Sequence, residues 1–184
     1  MQSRNVLVGA LALLFFCCGD DYLPRPRAML RLDYPGREMV QLDADCPFTF
    51  EYNDMAVLKN KGGCALDLNY PPMKGAIYIT YKPVQGNLRE LLTDAQKLSY
   101  EHVVKADNII EQPFVNIEDK VYGMYYEVQG NAASQAQFYA TDSTEHFLTG
   151  SLYFYARPNY DSIYPAAIYL QKDVRRILES LRWK

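Results

Sequence analysis

Four consecutive strand-like segments in the C-terminal half restrict the fold more than any other feature of the chain. They cover residues 109–115, 120–129, 134–142 and 146–156. Their connections are short and rich in residues that favour turns, such as Asn131 after Gly130. Strands joined so tightly pair with their neighbours in sequence, so we expect an antiparallel meander.

The remainder of the folded part adds three strands and two helices. Strands are predicted at 48–52, 65–70 and 75–82, and apolar residues recur at helical spacing over 88–106 and 162–181. An antiparallel sheet with helices packed on it is an α+β fold. This order of elements resembles the Mog1/PsbP-like α/β/α sandwich over nearly the whole domain. The resemblance implies a fold and says little about function.

The N-terminus has the features of an export signal. Arg4 precedes an apolar run from Val6 to Phe16. About ten to twelve apolar residues suit a signal-peptide core, whereas a membrane span takes ~20. A buried N-terminal helix or strand is the alternative. We therefore predict that residues 1–17 are a cleaved signal peptide and that the domain lies in the periplasm.

Cys18 is the predicted lipidation site. Lipoprotein processing favours a small residue before the modified cysteine, and Cys18 follows Cys17, whereas Cys17 follows the bulky Phe16. Buried acyl chains contribute ~0.8 kcal/mol per methylene, so several chains anchor a protein permanently. Residues 18–45 then form a lipidated tether, in which 28–34 alternate well enough to add an edge strand. Residues 46–184 form a single globular α+β domain.

Export changes the expectation for Cys46 and Cys64. Thiols outside the cytoplasm tend to pair, and these are the two that remain after Cys17 and Cys18. A disulfide would close a loop of about 17 residues and stabilise the fold by roughly 3 kcal/mol. Two buried free thiols are the alternative. Metal binding is not expected, because the two cysteines are far apart and neither neighbours a histidine.

The charge of the chain excludes nucleic-acid binding, and its two histidines do not form a recognisable catalytic pattern. The chain carries a net charge of −3 and has no basic run, so it lacks the clustered cations that bind nucleic acid. His102 follows Glu101, and His146 follows Glu145. Neighbouring helix residues point about 100° apart, so Glu101 and His102 do not face each other. We expect structural or surface roles for both histidines, with no catalytic residue, metal or cofactor.

One face of the last two predicted strands is rich in tyrosine and glutamine. Aliphatic and aromatic residues of both strands share one side, which suits a core covered by a helix. The opposite side carries hydrogen-bonding groups that suit either cover by the second helix or contact with a partner protein, because tyrosine is enriched at interfaces. The candidate interaction face consists of Gln135, Gln137, Tyr139, Tyr153 and Tyr155.

Several long motifs resemble the gliding-motility lipoprotein GldD family of the Bacteroidota. They are CGDDYLPRPRAMLRLDYP from Cys18, DCPFTFEYN at 45–53, IYITYKP at 77–83, DAQKLSYEHVVKADNIIEQPF at 94–114, and VYGMYYEVQGNAASQAQFYATDSTEHFLTGSLYFYARPNYDSIYPA at 121–166. The resemblance implies support of gliding motility and of type IX secretion, alongside other envelope lipoproteins. It implies no enzymatic activity, and the one functional residue that it carries over is Cys18.

Together these observations predict a non-enzymatic lipoprotein that acts by protein–protein interaction. Its expected partners are other gliding and secretion lipoproteins, with the membrane contacted through the lipid and the outer membrane favoured over the inner. Two other classes stay open. One is a periplasmic hydrolase or cell-wall-active enzyme using His102 or His146, and the other is a module that binds glycan on its tyrosine face.

Overall fold

The computed structural model describes residues 32–34, 36, 38–100, 105–155 and 159–184. Three short strands come first, at Met39–Gln41 (β1), Phe48–Thr49 (β2) and Glu51–Asn53 (β3). Seven longer strands follow, and the C-terminal strand Arg182–Trp183 (β11) comes last. The longer strands are Val57–Gly62 (β4), Ala65–Tyr70 (β5), Gly75–Pro83 (β6), Ala106–Asn116 (β7), Val121–Gly130 (β8), Ser134–Thr141 (β9) and His146–Phe154 (β10).

The longer strands form one sheet in the order β4-β5-β6-β10-β9-β8-β7. Every neighbouring pair is antiparallel, so the predicted meander of the last four is confirmed. Strand β10 returns to pair with β6 and thereby joins this meander to the earlier one formed by β4, β5 and β6. The small pairs β1-β3 and β2-β11 flank the main sheet.

Helix Tyr160–Ser180 (α2) covers one face of the sheet and forms the main core with it. The predicted apolar stripe of this helix is buried throughout, from Ile163 at 8% exposure to Leu170 and Val174 at 0%. Inward-facing strand residues such as Leu68 and Leu148 complete the core. Burial of each such side chain stabilises the fold by about 1.5–3 kcal/mol before the cost of ordering it.

Helix Leu88–Tyr100 (α1) packs on the opposite face, where Leu91 and Ala95 contact Phe147 of β10. With a helix on each face of the sheet, the predicted α/β/α sandwich is confirmed. The helix lies over β9 and β10, near the middle of the sheet.

A buried polar cluster connects the small sheet of β1 and β3 to α2. The side-chain amide of Asn53 donates to the carboxylate of Asp173 at 3.0 Å and to the hydroxyl of Tyr169 at 3.1 Å. Asn53 and Asp173 are 0% and 1% exposed and cannot hydrogen-bond to solvent, so these bonds satisfy polar groups that burial removes from water.

Several element boundaries differ from those predicted. Residues 105 and 106 do not continue α1, because β7 begins at Ala106, and residues 101–104 lie outside the described part. The proposed edge strand at 28–34 lies mostly outside it too. The predicted strand at 48–52 is two strands separated at Phe50.

Strand β4 is not among the strands predicted from the sequence. It lies at the edge of the sheet and is exposed at most positions, so its side chains show no alternation of polar and apolar residues. Strand β1 was missed for a related reason, since its three residues are too few for a recognisable pattern.

Candidate functional site

The predicted interaction face is partly buried and partly exposed, and its two glutamines belong to the buried part. Gln135 and Gln137 are 1% and 2% exposed, so they take no part in a surface for a partner, contrary to expectation. The side-chain oxygen of Gln137 accepts a hydrogen bond of 2.8 Å from the Ser99 hydroxyl of α1. The side-chain amide of Gln135 donates to the carbonyl oxygens of Gly130 and Ala132 in the preceding turn.

Tyr139 is also engaged inside the fold. Its ring stacks on Phe147 with 5.9 Å between centroids, and both pack against the apolar side of α1. Burial raises the pKa of the Tyr139 hydroxyl, and the nearby Glu111 raises it further. The sequence left open which face of the sheet α1 would cover, and the structure places the helix over this part of the candidate face.

The end of β10 projects beyond this helix-covered region. The register between β9 and β10 shifts between Leu152, opposite Ala136, and Tyr153, opposite Ser134, which leaves Gln135 as a bulged residue. Bulges increase local twist and redirect side chains. Beyond the bulge, Tyr153 is half-buried and Tyr155 is 58% exposed, so these two members of the candidate face reach the surface.

Tyr78 of β6 joins them, although it was not among the predicted residues. Its ring meets that of Tyr153 edge to face at 5.8 Å. Its hydroxyl lies 2.7 Å from that of Tyr155, which in turn donates to the side-chain oxygen of Asn69 at 3.2 Å. We call Asn69, Tyr78, Tyr153 and Tyr155 the tyrosine surface. Since these residues come from three strands, the cross-strand register was needed to bring them together.

The hydrogen bond with Tyr155 raises the pKa of Tyr78 to about 12. Partial burial and the negative field of Asp67 act in the same direction. Tyr78 is therefore neutral at physiological pH and retains its proton as a hydrogen-bond donor. The tyrosine surface offers hydroxyl groups and ring faces, and this combination binds polar and apolar groups of a protein together.

A cavity of about 300 Å³ adjoins the tyrosine surface. Lys59 and Lys74 stand at its rim, and within the described residues neither ammonium group has a salt-bridge partner. The remaining walls are Val57, Asn69, Pro71, Gly75 and Tyr155. The cavity combines an apolar lining with two cations. Most of its residues lie between Val57 and Gly75, and Tyr155 comes from a distant part of the chain.

Cys46 and Cys64 form a disulfide, with 5.6 Å between their α-carbons. This bond joins the segment before β2 to the turn between β4 and β5. The pairing was one of two alternatives left open by the sequence, and the structure has the bonded form. Cys18, the predicted lipidation site, lies outside the described residues, so its modification stays a prediction.

His146 has a structural environment. Its Nδ1 atom lies 2.9 Å from the Tyr81 hydroxyl, and its ring stacks on Trp183 with 5.0 Å between centroids. These contacts join β10 to the C-terminal strand β11. His102 lies outside the described part of the chain. Within that part, no three side chains of the metal-binding types converge on a point where they could hold an ion.

Comparison with protein families decides the assignment of the chain. The family model for the gliding motility lipoprotein GldD matches residues 19–183. The chain belongs to the GldD family. The GldD match begins directly after Cys18 and extends through Trp183 of β11, so it includes the tyrosine surface, the cavity and the disulfide. A comparison with curated proteins gives no match.

GldD membership indicates a lipoprotein of the cell envelope that serves gliding motility. This agrees with the resemblance seen in the sequence motifs. Across the residues that the structure describes, neither helix combines the length and the apolar character required to cross a bilayer.

Proposed function

We propose that this GldD protein is a non-enzymatic, lipid-tethered subunit that binds another envelope lipoprotein of the gliding and type IX secretion apparatus. Cys18 would hold it at the membrane, preferably the outer one, with the domain in the periplasm. The observation that carries the proposal is the tyrosine surface, where Tyr78, Tyr153 and Tyr155 meet on a part of the sheet that α1 leaves open.

The chemistry of this surface supports a protein partner. The three tyrosines are held by contacts with one another, so their rings lose little further freedom on binding. Tyrosine is a frequent interface residue, because its ring supplies apolar contact area and its hydroxyl keeps a hydrogen bond. A tyrosine that becomes fully desolvated in a complex contributes about 2 kcal/mol or more to binding, whereas one at the rim contributes little.

The test is a double substitution, Tyr153→Ala with Tyr155→Ala, in the chromosomal copy of the gene. We expect loss of gliding and of type IX secretion, together with loss of partner proteins that co-purify with the wild-type lipoprotein after crosslinking. The melting temperature should change little, because Tyr155 is 58% exposed and Tyr153 half-buried.

Two control variants calibrate the result. Tyr164→Ala removes another exposed tyrosine, 41% exposed, from α2 and should leave function and stability intact. Tyr139→Ala removes the ring under α1 and should cost about 2–4 kcal/mol of folding stability. A double variant that melts as early as Tyr139→Ala would contradict the docking role.

The same material separates the other two classes of function. A glycan binder should be retained on a peptidoglycan or polysaccharide column and lose this retention when Tyr153 or Tyr155 is truncated. A hydrolase should lose function with His102→Ala or His146→Ala at unchanged protein level. Either result would replace the protein-binding proposal.

A further inference from the structure

Strand β4 is an open edge of the main sheet beside the cavity. It pairs with β5 on one side only, in a register that places Val57 opposite Asn69 and Lys59 opposite Asp67. On its other side, the described residues provide no backbone hydrogen-bond partner for the strand. An edge of this kind accepts an added strand, because the backbone N–H and C=O groups that point outward are free to pair.

The side chains around this edge are cationic, although the whole protein has a net charge of −3. Lys59 and Lys74 border the cavity, and Lys61 comes two residues after Lys59 in β4. Asp67 of β5, whose side chain is 17% exposed, pairs with Lys61 at 3.4 Å, and within the described residues no acidic group forms a salt bridge with Lys59 or Lys74. The charges at Lys59 and Lys74 therefore remain available to an incoming anion.

These charges also select the occupant. A second copy of the chain would bring lysines against lysines if two β4 edges paired, and like charges opposed across a strand pair are unfavourable. An acidic strand would find complementary charge on Lys59 and Lys74. The cavity between them is large enough for one side chain, and the Asn69 and Tyr155 side chains supply polar groups at its wall.

We propose that β4 binds an extended acidic segment of a partner protein as an added strand, with one carboxylate side chain of that segment in the cavity between Lys59 and Lys74. This inference rests on the proposed function, because it names the chemistry of the partner that the neighbouring tyrosine surface would also contact. Main-chain hydrogen bonds to β4 supply affinity, and the cavity supplies selection for the carboxylate.

The test is an NMR titration of the isotope-labelled mature lipoprotein in detergent micelles. The probe is an eight-residue peptide in which glutamate alternates with threonine, and the matched peptide has glutamine in place of glutamate. We expect the glutamate peptide to shift the amide signals of Val57, Lys59 and Tyr155. Affinity for the glutamine peptide should be about tenfold weaker, because the carboxylate charge is lost.

The protein variants provide the second arm. Lys59→Gln combined with Lys74→Gln should weaken binding of the glutamate peptide by about tenfold, whereas Lys97→Gln on the exposed side of α1 should leave it unchanged. The amide spectrum without peptide shows whether each variant is folded. Equal affinity for both peptides, signal shifts confined to other surfaces, or no binding at all would overturn the proposal.

Two further readouts separate the possible failures. Polygalacturonate shifting the same signals while the peptide does not would make the cavity a site for acidic polysaccharide and overturn the peptide assignment. Co-purification of an envelope partner with the double lysine variant at wild-type level would overturn this inference alone. Absence of any specific partner from the wild-type protein would overturn the proposed function itself.

Discussion

The hydroxyl groups of Tyr78 and Tyr155 lie 2.7 Å apart and connect β6 to the end of β10. Because Tyr155 also donates to Asn69, the hydrogen bonds run from β6 through β10 to β5. This sequence of bonds requires Tyr78 to be the donor to Tyr155. Asn69, Tyr78 and Tyr155 therefore form a hydrogen-bonded unit within the tyrosine surface, and they should respond together to substitution.

Tyr155→Phe should lower the pKa of Tyr78 from about 12 towards its ordinary value near 10, because the bond with Tyr155 is the largest cause of the shift. The folded-state pKa of Tyr78 is raised, so its contribution to stability is complete below pH 10 and is lost as pH rises towards 12. NMR titration of carbon-labelled tyrosine measures the midpoint. Tyr164→Phe is the control, and an unchanged Tyr78 midpoint in Tyr155→Phe would contradict the assignment.

Asp142 organises the turn between β9 and β10. Burial alone would raise the pKa of its carboxyl group, but hydrogen bonds from the backbone amides of His146, Thr144 and Glu145 and from the Thr144 hydroxyl outweigh it and lower the pKa to about 2. The stability from this lowered pKa is present above pH 3.8 and is lost as pH falls towards 2.

Asp142→Asn keeps the shape of the side chain and removes its charge. We expect a loss of about 1 kcal/mol in the free energy of unfolding at pH 7, after allowance for solvent screening of a partly exposed group. The difference from wild type should shrink as pH falls from 4 to 2, as measured by urea unfolding. Glu118→Gln in an exposed turn is the control, and a difference that persists unchanged at pH 2 would contradict the role of the charge.

The elements with strong hydrophobic periodicity could be predicted from the sequence. The way in which they combine to form a surface could not. The stripe of α2 from Ile163 to Leu178 and the meander of β7 to β10 were predictable, because local patterns specify which side is buried. The burial of Gln137 was not, because it depends on which face of the sheet α1 covers. The contacts of Tyr78 and Lys74 depend on the pairing of distant strands, and no local pattern encodes that pairing.

Gly150 has no room for a side chain, because a β-carbon there would fall within the ring of Phe138 on the paired strand β9. Gly150→Ala should therefore cost about 1–3 kcal/mol of stability through overpacking. In combination with Phe138→Leu, it should cost less than the sum of the two single changes, since the smaller side chain frees the space. Thermal unfolding of the four proteins measures the coupling, and strict additivity would show that the two sites do not compete for space. Gly36→Ala, where a β-carbon meets no atom within 4 Å, is the near-neutral control.

Removal of the disulfide by Cys46→Ser with Cys64→Ser should lower the free energy of unfolding by roughly 3 kcal/mol, because the unfolded chain regains the entropy of the open loop. Urea unfolding with and without reductant measures the effect. Reductant should destabilise the wild-type protein and leave the double variant unchanged. Mass spectrometry of protein taken from the envelope should show alkylation of both cysteines only after reduction, and alkylation beforehand would contradict the bonded state.

Cys18→Ser should abolish incorporation of labelled palmitate and release the protein from membranes or leave it unprocessed. Cys17→Ala should be tolerated, because a small residue remains before the lipidated position. Labelling followed by membrane fractionation compares the two variants. Label that survives the loss of Cys18 would place the lipid elsewhere.

The docking of the chain near Tyr34 has a mechanical consequence. Leu32 and Tyr34 pack on the main core, and the Tyr34 ring lies 5.3 Å from that of Tyr169 on α2. If Cys18 carries the lipid as predicted, a pull on the anchor reaches the described part of the domain at Leu32 and Tyr34, its first residues. Peeling of the N-terminal segment would then release β1 and stop at Cys46, which is bonded to the turn between β4 and β5. The disulfide thus limits unfolding that starts at the N-terminal end. The main sheet should stay folded under tension, and with it the tyrosine surface on the face opposite α2.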